Sequence, residues 1–227
     1  MIRVHVICEG QTEEMFVNEV LFDLFNRREI YLYPSLIGKP GHKGGNFRFE
    51  RLLTDLRARL LDDTAAYCTT FFDFYGLPAD FPGKDEARQQ KTSRDKSDFL
   101  LQALSEALKM ELGEEPLRRF IPYVQMYEFE GLLFSDAVAF ARGINKNALG
   151  GSFQAIRDQF DSPEEINEST DTAPVKRIKR LFPEYDKPLH GSLAALEIGL
   201  NAIRRECPMF DGWVKRIEAL KAGIDAW

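Results

Sequence analysis

Apolar positions along the chain repeat first every second residue and then every third or fourth, and the two rhythms alternate. Val4-His5-Val6-Ile7-Cys8 is β-branched and extended in character, so it reads as a first strand. Phe16, Val17, Val20, Leu21 and Leu24 then fall on one helical face behind Thr12, which predicts a capped helix. A second strand is expected at Ile30–Ile37, where Pro34 fits an edge better than a centre. Phe49, Leu52, Leu53, Leu56 and Leu60 return to helical spacing, and Ala66–Phe72 reads as a buried third strand. Residues 76–98, with Pro78, Pro82, Gly83 and mixed charge, read as a long surface loop before a helix at Phe99–Leu112. A fourth strand is expected near Phe120–Met126. Beyond Gly131 the pattern is helical, with two closing helices around Leu193–Ile203 and Trp213–Leu220.

Strands alternating with helices imply parallel pairing through crossover helices. The expected fold is therefore α/β: a mainly parallel sheet of about four strands, flanked by helices. The core is expected to span residues 1–140, with a helical extension over 141–227 packed on it. A chain of 227 residues with 44% hydrophobic and 29% charged positions suffices for one such unit.

Charge and cysteine usage narrow the classes. A net charge of −6 argues against a protein that coats nucleic acid without specificity, though it leaves room for a local basic groove. Cys8, Cys68 and Cys207 are far apart and lack C-x-x-C spacing, so they read as core thiols rather than a disulfide framework or zinc site. No stretch is apolar enough to span a membrane, and the expected compartment is the cytoplasm.

The candidate chemistry lies where strands stop. Glu9 follows the first strand and precedes Gly10, which lets the backbone turn; Glu13 falls in the first turn of the helix. Glu13 is also explained as a helix-start acid that favours the macrodipole. Asp73 ends the third strand, and Glu128 and Glu130 follow the fourth. If strands one, three and four are neighbours, these oxygens meet at the carboxyl edge of the sheet, where open α/β folds gather ligands. Glu9, Asp73, Glu128 and Glu130 are then candidate ligands for Mg²⁺ or Mn²⁺, and Glu9, Glu13, Asp73 and Glu130 candidate catalytic groups for metal-assisted phosphoryl chemistry.

The motifs Glu9-Gly10-x-Thr12-Glu13 and Asp73-Phe74-Tyr75 resemble the Toprim superfamily of topoisomerases, primases and OLD-type nucleases. More closely, the chain resembles an uncharacterised prokaryotic Toprim-like family with segments matching Glu9–Glu13, Asp73–Pro78, Glu128–Phe134 and Pro163–Asn167, together with Ala173-Pro174-x-Lys176-Arg177-Ile178. The resemblance implies a Toprim-like, Rossmann-like core, a Mg²⁺- or Mn²⁺-dependent nuclease, and an AAA- or ABC-type ATPase partner in anti-phage defence. One departure stands out: Tyr75 occupies the place of the second acid of D-x-D, and a phenol with a pKa of about 10 is a poor Mg²⁺ ligand. The OLD-type pattern of two glutamates separated by three residues implies Glu13 as the replacement; otherwise the site holds one cation or none.

Two basic segments complete the reading. Lys43, in the glycine-rich loop Gly38–Asn46, is a candidate phosphate contact, although the loop lacks the P-loop order. Lys176, Arg177, Lys179 and Arg180 form a run without acids and are candidate nucleic-acid contacts; a first run from Lys84 to Lys96 reads as a solvated face. The leading expectation is a nuclease acting on DNA or RNA. Its rival is a non-catalytic Toprim-like module that binds nucleic acid or the ATPase, and a third reading is phosphoryl or nucleotidyl transfer on a small molecule. Self-association is compatible with all three.

Overall fold

A computed structural model describes residues 1–38, 47–167 and 172–220. The chain opens with β1 (Ile2–Cys8), then α1 (Gln11–Phe16), a π-helical turn at Val17–Leu21 and α2 (Phe22–Asn26), so the single predicted first helix is interrupted at its middle. β2 (Ile30–Leu36), α3 (Phe49–Leu60) and β3 (Tyr67–Asp73) follow as the periodicity predicts. The stretch expected to be loop carries α4 (Lys84–Arg88) and the first turns of α5 (Ser93–Leu112). Its mixed charge hid the helices, because their exposed faces outnumber the buried Ala87 and Ser97. After α6 (Glu114–Leu117) come β4 (Phe120–Ile121) and β5 (Val124–Gln125).

The sheet is parallel throughout, in the order β2-β1-β3-β4, with β5 pairing β3 beyond β4. Pro34 lies on edge strand β2, as expected for a residue without an N–H. Pro122 splits the predicted fourth strand into two short ones for the same reason. Buried threonines of β3 close the gap. Thr69 Oγ1 donates to the Ile121 carbonyl, and Thr70 Oγ1 donates to the Tyr123 carbonyl (2.8 Å) while accepting from the Tyr123 N–H (3.0 Å). These hydroxyls do the work of ladder bonds, so β3 tolerates polar side chains in a fully buried strand.

Alternate residues of the central strands feed two hydrophobic clusters, one on each face of the sheet. Ile7, Cys68 and Phe72 join α3 and α5 on one face. Val4, Val6 and Phe71 join α1 and the later helices on the other. Those helices are α7 (Ala137–Gly143), α8 (Gly150–Arg157), α9 (Pro174–Leu181), α10 (Lys187–Ile198), α11 (Leu200–Glu206) and α12 (Pro208–Glu218). The expected division at residue 140 falls inside α7, and the second cluster contains residues from both sides of it. Among the described residues three helices, not two, run from Lys187 onward. α12 is tied to the sheet by Trp213, whose indole N–H donates to Thr69 Oγ1 (2.8 Å) and whose ring stacks on Tyr123 at 4.6 Å. All three cysteines are free and buried. Among the described residues, no helix is long and apolar enough to cross a membrane.

Candidate functional site

Because β1 and β3 are parallel neighbours, their carboxyl ends lie side by side, and hydrogen bonding continues past both. The Glu9 N–H donates to the Phe71 carbonyl (3.1 Å), and the N–H groups of Phe74 and Tyr75 donate to the carbonyls of Gln125 and Tyr127 (2.9 and 3.1 Å). Tyr127 then takes the left-handed conformation, φ 67°, unusual for a bulky side chain. This turn starts the 3₁₀ segment Phe129–Ser135 beside Asp73, whose Oδ1 accepts from the Phe129 N–H (2.8 Å). Glu130 is thereby carried into the interior, with no exposed surface at all.

Glu9 and Glu13 are positioned by the backbone around them. Glu9 Oε2 accepts from the Asp73 N–H (2.9 Å), and its carboxylate lies so close to Gly76 that a Cβ there would stand 2.1 Å from Oε1. Only glycine permits that approach. Glu13 Oε2 accepts from the Gly10 N–H (2.9 Å), so this residue does cap its own helix. Its other oxygen, Oε1, faces inward without a hydrogen-bond donor. The two explanations offered for Glu13 by its sequence position are therefore compatible, one for each oxygen.

What the sequence did not reveal is the group at the centre. Lys187, first residue of α10, extends its ammonium to Asp73 Oδ2 (2.7 Å), Glu130 Oε2 (3.4 Å) and Glu13 Oε1 (3.7 Å). A cation in the first turn of a helix opposes the macrodipole. In the order Asp186-Lys187-Pro188, with Asp186 capping through the Leu189 N–H (2.9 Å), that misplacement is the signal the sequence held.

One ammonium does not balance these acids. Glu9 is pushed up to about 8 by burial, by Asp73 and by Glu13. Burial likewise raises Glu13 and Glu130 to about 7, against the opposing pull of Lys187. Desolvation drags Lys187 downward, but Asp73, Glu130 and Glu13 outweigh it and hold its pKa well above the usual lysine value. Both Glu130 oxygens and Glu13 Oε1 are buried without hydrogen-bond partners. Hard oxygen donors in this state are the chemistry that holds divalent cations. Among the described residues, however, no three Asp, Glu, His or Cys side chains already stand in a metal-holding arrangement; the acids are spaced around Lys187.

The remaining candidates are placed differently. Glu128 Oε2 accepts from the Val175 N–H (2.9 Å) at the start of α9; burial raises its pKa. Tyr75 is half-buried with its ring 5.6 Å from that of Tyr127, and burial raises its pKa further from any metal-ligating form. The second basic run forms α9, starting at Pro174, with Lys176, Lys179 and Arg180 exposed. Arg177 is committed elsewhere, donating to the Thr172 carbonyl (2.7 Å) and standing 5.1 Å over the Phe160 ring. Lys84, read as solvated, is buried and donates to the Leu77 carbonyl. Lys43 lies outside the described residues. His190 lies within α10 and accepts at Nδ1 from the Asp186 N–H (2.8 Å). A cavity of about 830 Å³, lined by Leu101, Ser105, Leu117, Phe120 and Arg216, includes none of these acids in its wall.

The chain belongs to the family described as Domain of unknown function (DUF4276), which matches residues 8–218. No curated protein and no solved structure matches it.

Proposed function

We propose that the protein is a Mg²⁺- or Mn²⁺-dependent nuclease of Toprim type, the effector subunit of an ATPase-associated anti-phage system. The observation that carries this reading is the set of buried carboxylate oxygens on Glu13 and Glu130 that lack any donor, gathered with Asp73 at the carboxyl edge of a parallel sheet. Buried acceptors left unpaired ask for a ligand, and a divalent cation would satisfy all three. The Toprim resemblance of the motifs carrying Glu9, Asp73 and Glu130 supports the same chemistry.

In this reading Glu13, Asp73 and Glu130 hold the cation. When bound, it supplies Lewis-acid polarisation of a phosphodiester and activation of water. Glu9 is held by the Asp73 N–H and carries a carboxyl near 8, so it exchanges a proton near neutral pH and is assigned general acid–base work. Lys187 keeps the acids together in the absence of metal. The exposed cations of α9 offer contacts to the phosphate backbone, and Glu128 ties that helix to the segment bearing Glu130.

The rival reading, a non-catalytic module that binds nucleic acid or an ATPase, draws on Lys187 and Tyr75: an internal ammonium already serves three of the acids, and the second acid of D-x-D is missing. Metal titration and cleavage assays separate the two. Asp73→Ala and Glu9→Ala are expected to abolish Mn²⁺-dependent cleavage of DNA or RNA, tested with and without the ATPase. Equal cleavage by parent and both variants would remove the catalytic assignment, whereas nucleic-acid or ATPase binding without any cleavage would establish the rival.

A further inference from the structure

The cavity of about 830 Å³ has no part in the scheme so far, and none of the strand-end acids lines it. It lies where the sheet ends. β4 is the last strand of the order β2-β1-β3-β4, and the wall joins α5 and α6 to Phe120 and Pro122 at that strand and to Arg216 of α12. Leu101 and Leu117 in the wall are only partly buried, at the margin of the apolar cluster that contains Phe120. Apolar surface continuous with the core thus opens onto a space of the size that small organic molecules occupy.

The polar groups of the wall are satisfied within the chain, with one exception. Gln102 Nε2 donates to Glu106 (3.0 Å), Ser105 Oγ donates to the Leu101 carbonyl (2.8 Å), Lys109 pairs with Glu114, and Arg118 Nε lies 3.5 Å from Glu115. Arg216 has no ion pair or hydrogen bond among the described residues; burial alone lowers its pKa, with no acid acting against it. Its own helix has no acid to spare. Asp211 is taken by Arg204 (2.6 Å) and Lys215 (2.7 Å), and Glu218 by Arg204 (2.7 Å) and Arg28 (3.1 Å). A cation in the last turn of α12 suits the macrodipole, but that leaves the guanidinium fork without the planar acceptor it matches. An added peptide strand would find little here, since β4 has two residues and Pro122 after it has no N–H.

We propose that this cavity binds a small organic acid of the medium-chain fatty acid class, its apolar body on Leu101, Leu117, Phe120 and Pro122 and its carboxylate on the Arg216 guanidinium. The inference is independent of the cation reading above. Burial of the apolar body supplies the driving force, and the paired fork of Arg216 selects an anion over an uncharged molecule of the same shape.

Titration calorimetry with decanoate, and with decanol as its uncharged counterpart, tests this on the full chain. The parent is expected to bind decanoate more tightly than decanol. Arg216→Gln removes a charge that bonds to nothing in the protein, so its thermal midpoint should match the parent's while its decanoate affinity falls roughly tenfold, to the level of decanol. Ser105→Trp, at an exposed position of the wall, fills the cavity and should abolish binding of both. A parent that binds no decanoate would overturn the proposal. Equal binding of acid and alcohol, or an Arg216→Gln variant that binds as the parent does, would remove the anion site, and binding that survives Ser105→Trp would place the ligand elsewhere. Sedimentation showing self-association that Ser105→Trp abolishes, with no decanoate bound, would overturn it in favour of an interface between copies of the chain.

Discussion

Glu130 and Glu164 are both buried glutamates whose carboxyls burial pushes up to about 7, yet they sit in opposite circumstances. Glu164 accepts from two backbone amides at the start of α12, Phe210 at Oε1 (2.8 Å) and Met209 at Oε2 (2.9 Å). Every lone-pair demand at that helix start is met within the chain. Glu130 has Lys187 at 3.4 Å and no hydrogen bond to either oxygen. Similar pKa values thus conceal different jobs. The first acid closes a structure, and the second leaves one open.

The largest effect that tests this contrast is expected at Glu164. Glu164→Ala strips the acceptors from two amides at the base of a helix whose Trp213 anchors the sheet, and should cost about 3 kcal/mol in urea unfolding. A loss near zero would mean that α12 is held by its apolar face alone. Glu130→Gln is expected to do the reverse: it removes a buried charge that one ammonium, shared with Asp73 and Glu13, balances only in part, so metal-free stability at pH 8 should hold or rise by about 1 kcal/mol. Its cost falls entirely on divalent-ion binding, and destabilisation as large as that of Glu164→Ala would erase the distinction.

A smaller and broader effect is expected from pH. Glu9, at about 8, and Glu13, Glu130 and Glu164, at about 7, all lie above their ordinary value of 4.5. The fold therefore favours their protonated forms. The stabilisation is fully present below about 4.5 and is lost as pH rises through 7 to 8. Urea midpoints of the metal-free protein should fall from pH 5 to pH 8, and Glu13→Gln with Glu130→Gln should flatten that slope. Bound cation requires ionised ligands, so Mn²⁺ should reverse the trend and release protons on binding, seen as a buffer-dependent heat. A midpoint that rises with pH without metal would contradict the charge balance described for the site.

The convergence of Glu9, Asp73 and Glu130 was legible because it needs only local information: a strand that stops at an acid, and a parallel order that puts strand ends together. Pro34 on an edge was legible for the same reason. Lys187 was not, since it reaches Asp73 across 114 residues and looks like one more helix-start cation. Past the turn at Tyr127, Glu128 bonds to the start of α9 while Glu130 goes inward, a division that their spacing in the sequence does not announce. Glu164 belongs to a segment that carried a family pattern but no chemistry. Its partners, Met209 and Phe210, lie 45 and 46 residues further on.

The distance between Asp73 and Lys187 also sets an order in time. With 114 residues between them, the acid leaves the ribosome roughly 6 to 20 s before its counter-charge at ordinary synthesis rates. At the start of that interval the segments that bear Glu9, Glu13 and Asp73 are already made and Glu130 follows about midway, while the Lys187 ammonium that joins three of these acids comes last. The nascent sheet must wait with its acids protonated, hydrated or neutralised by ions of the surrounding solution, and α10 arrives as the piece that lets the edge close.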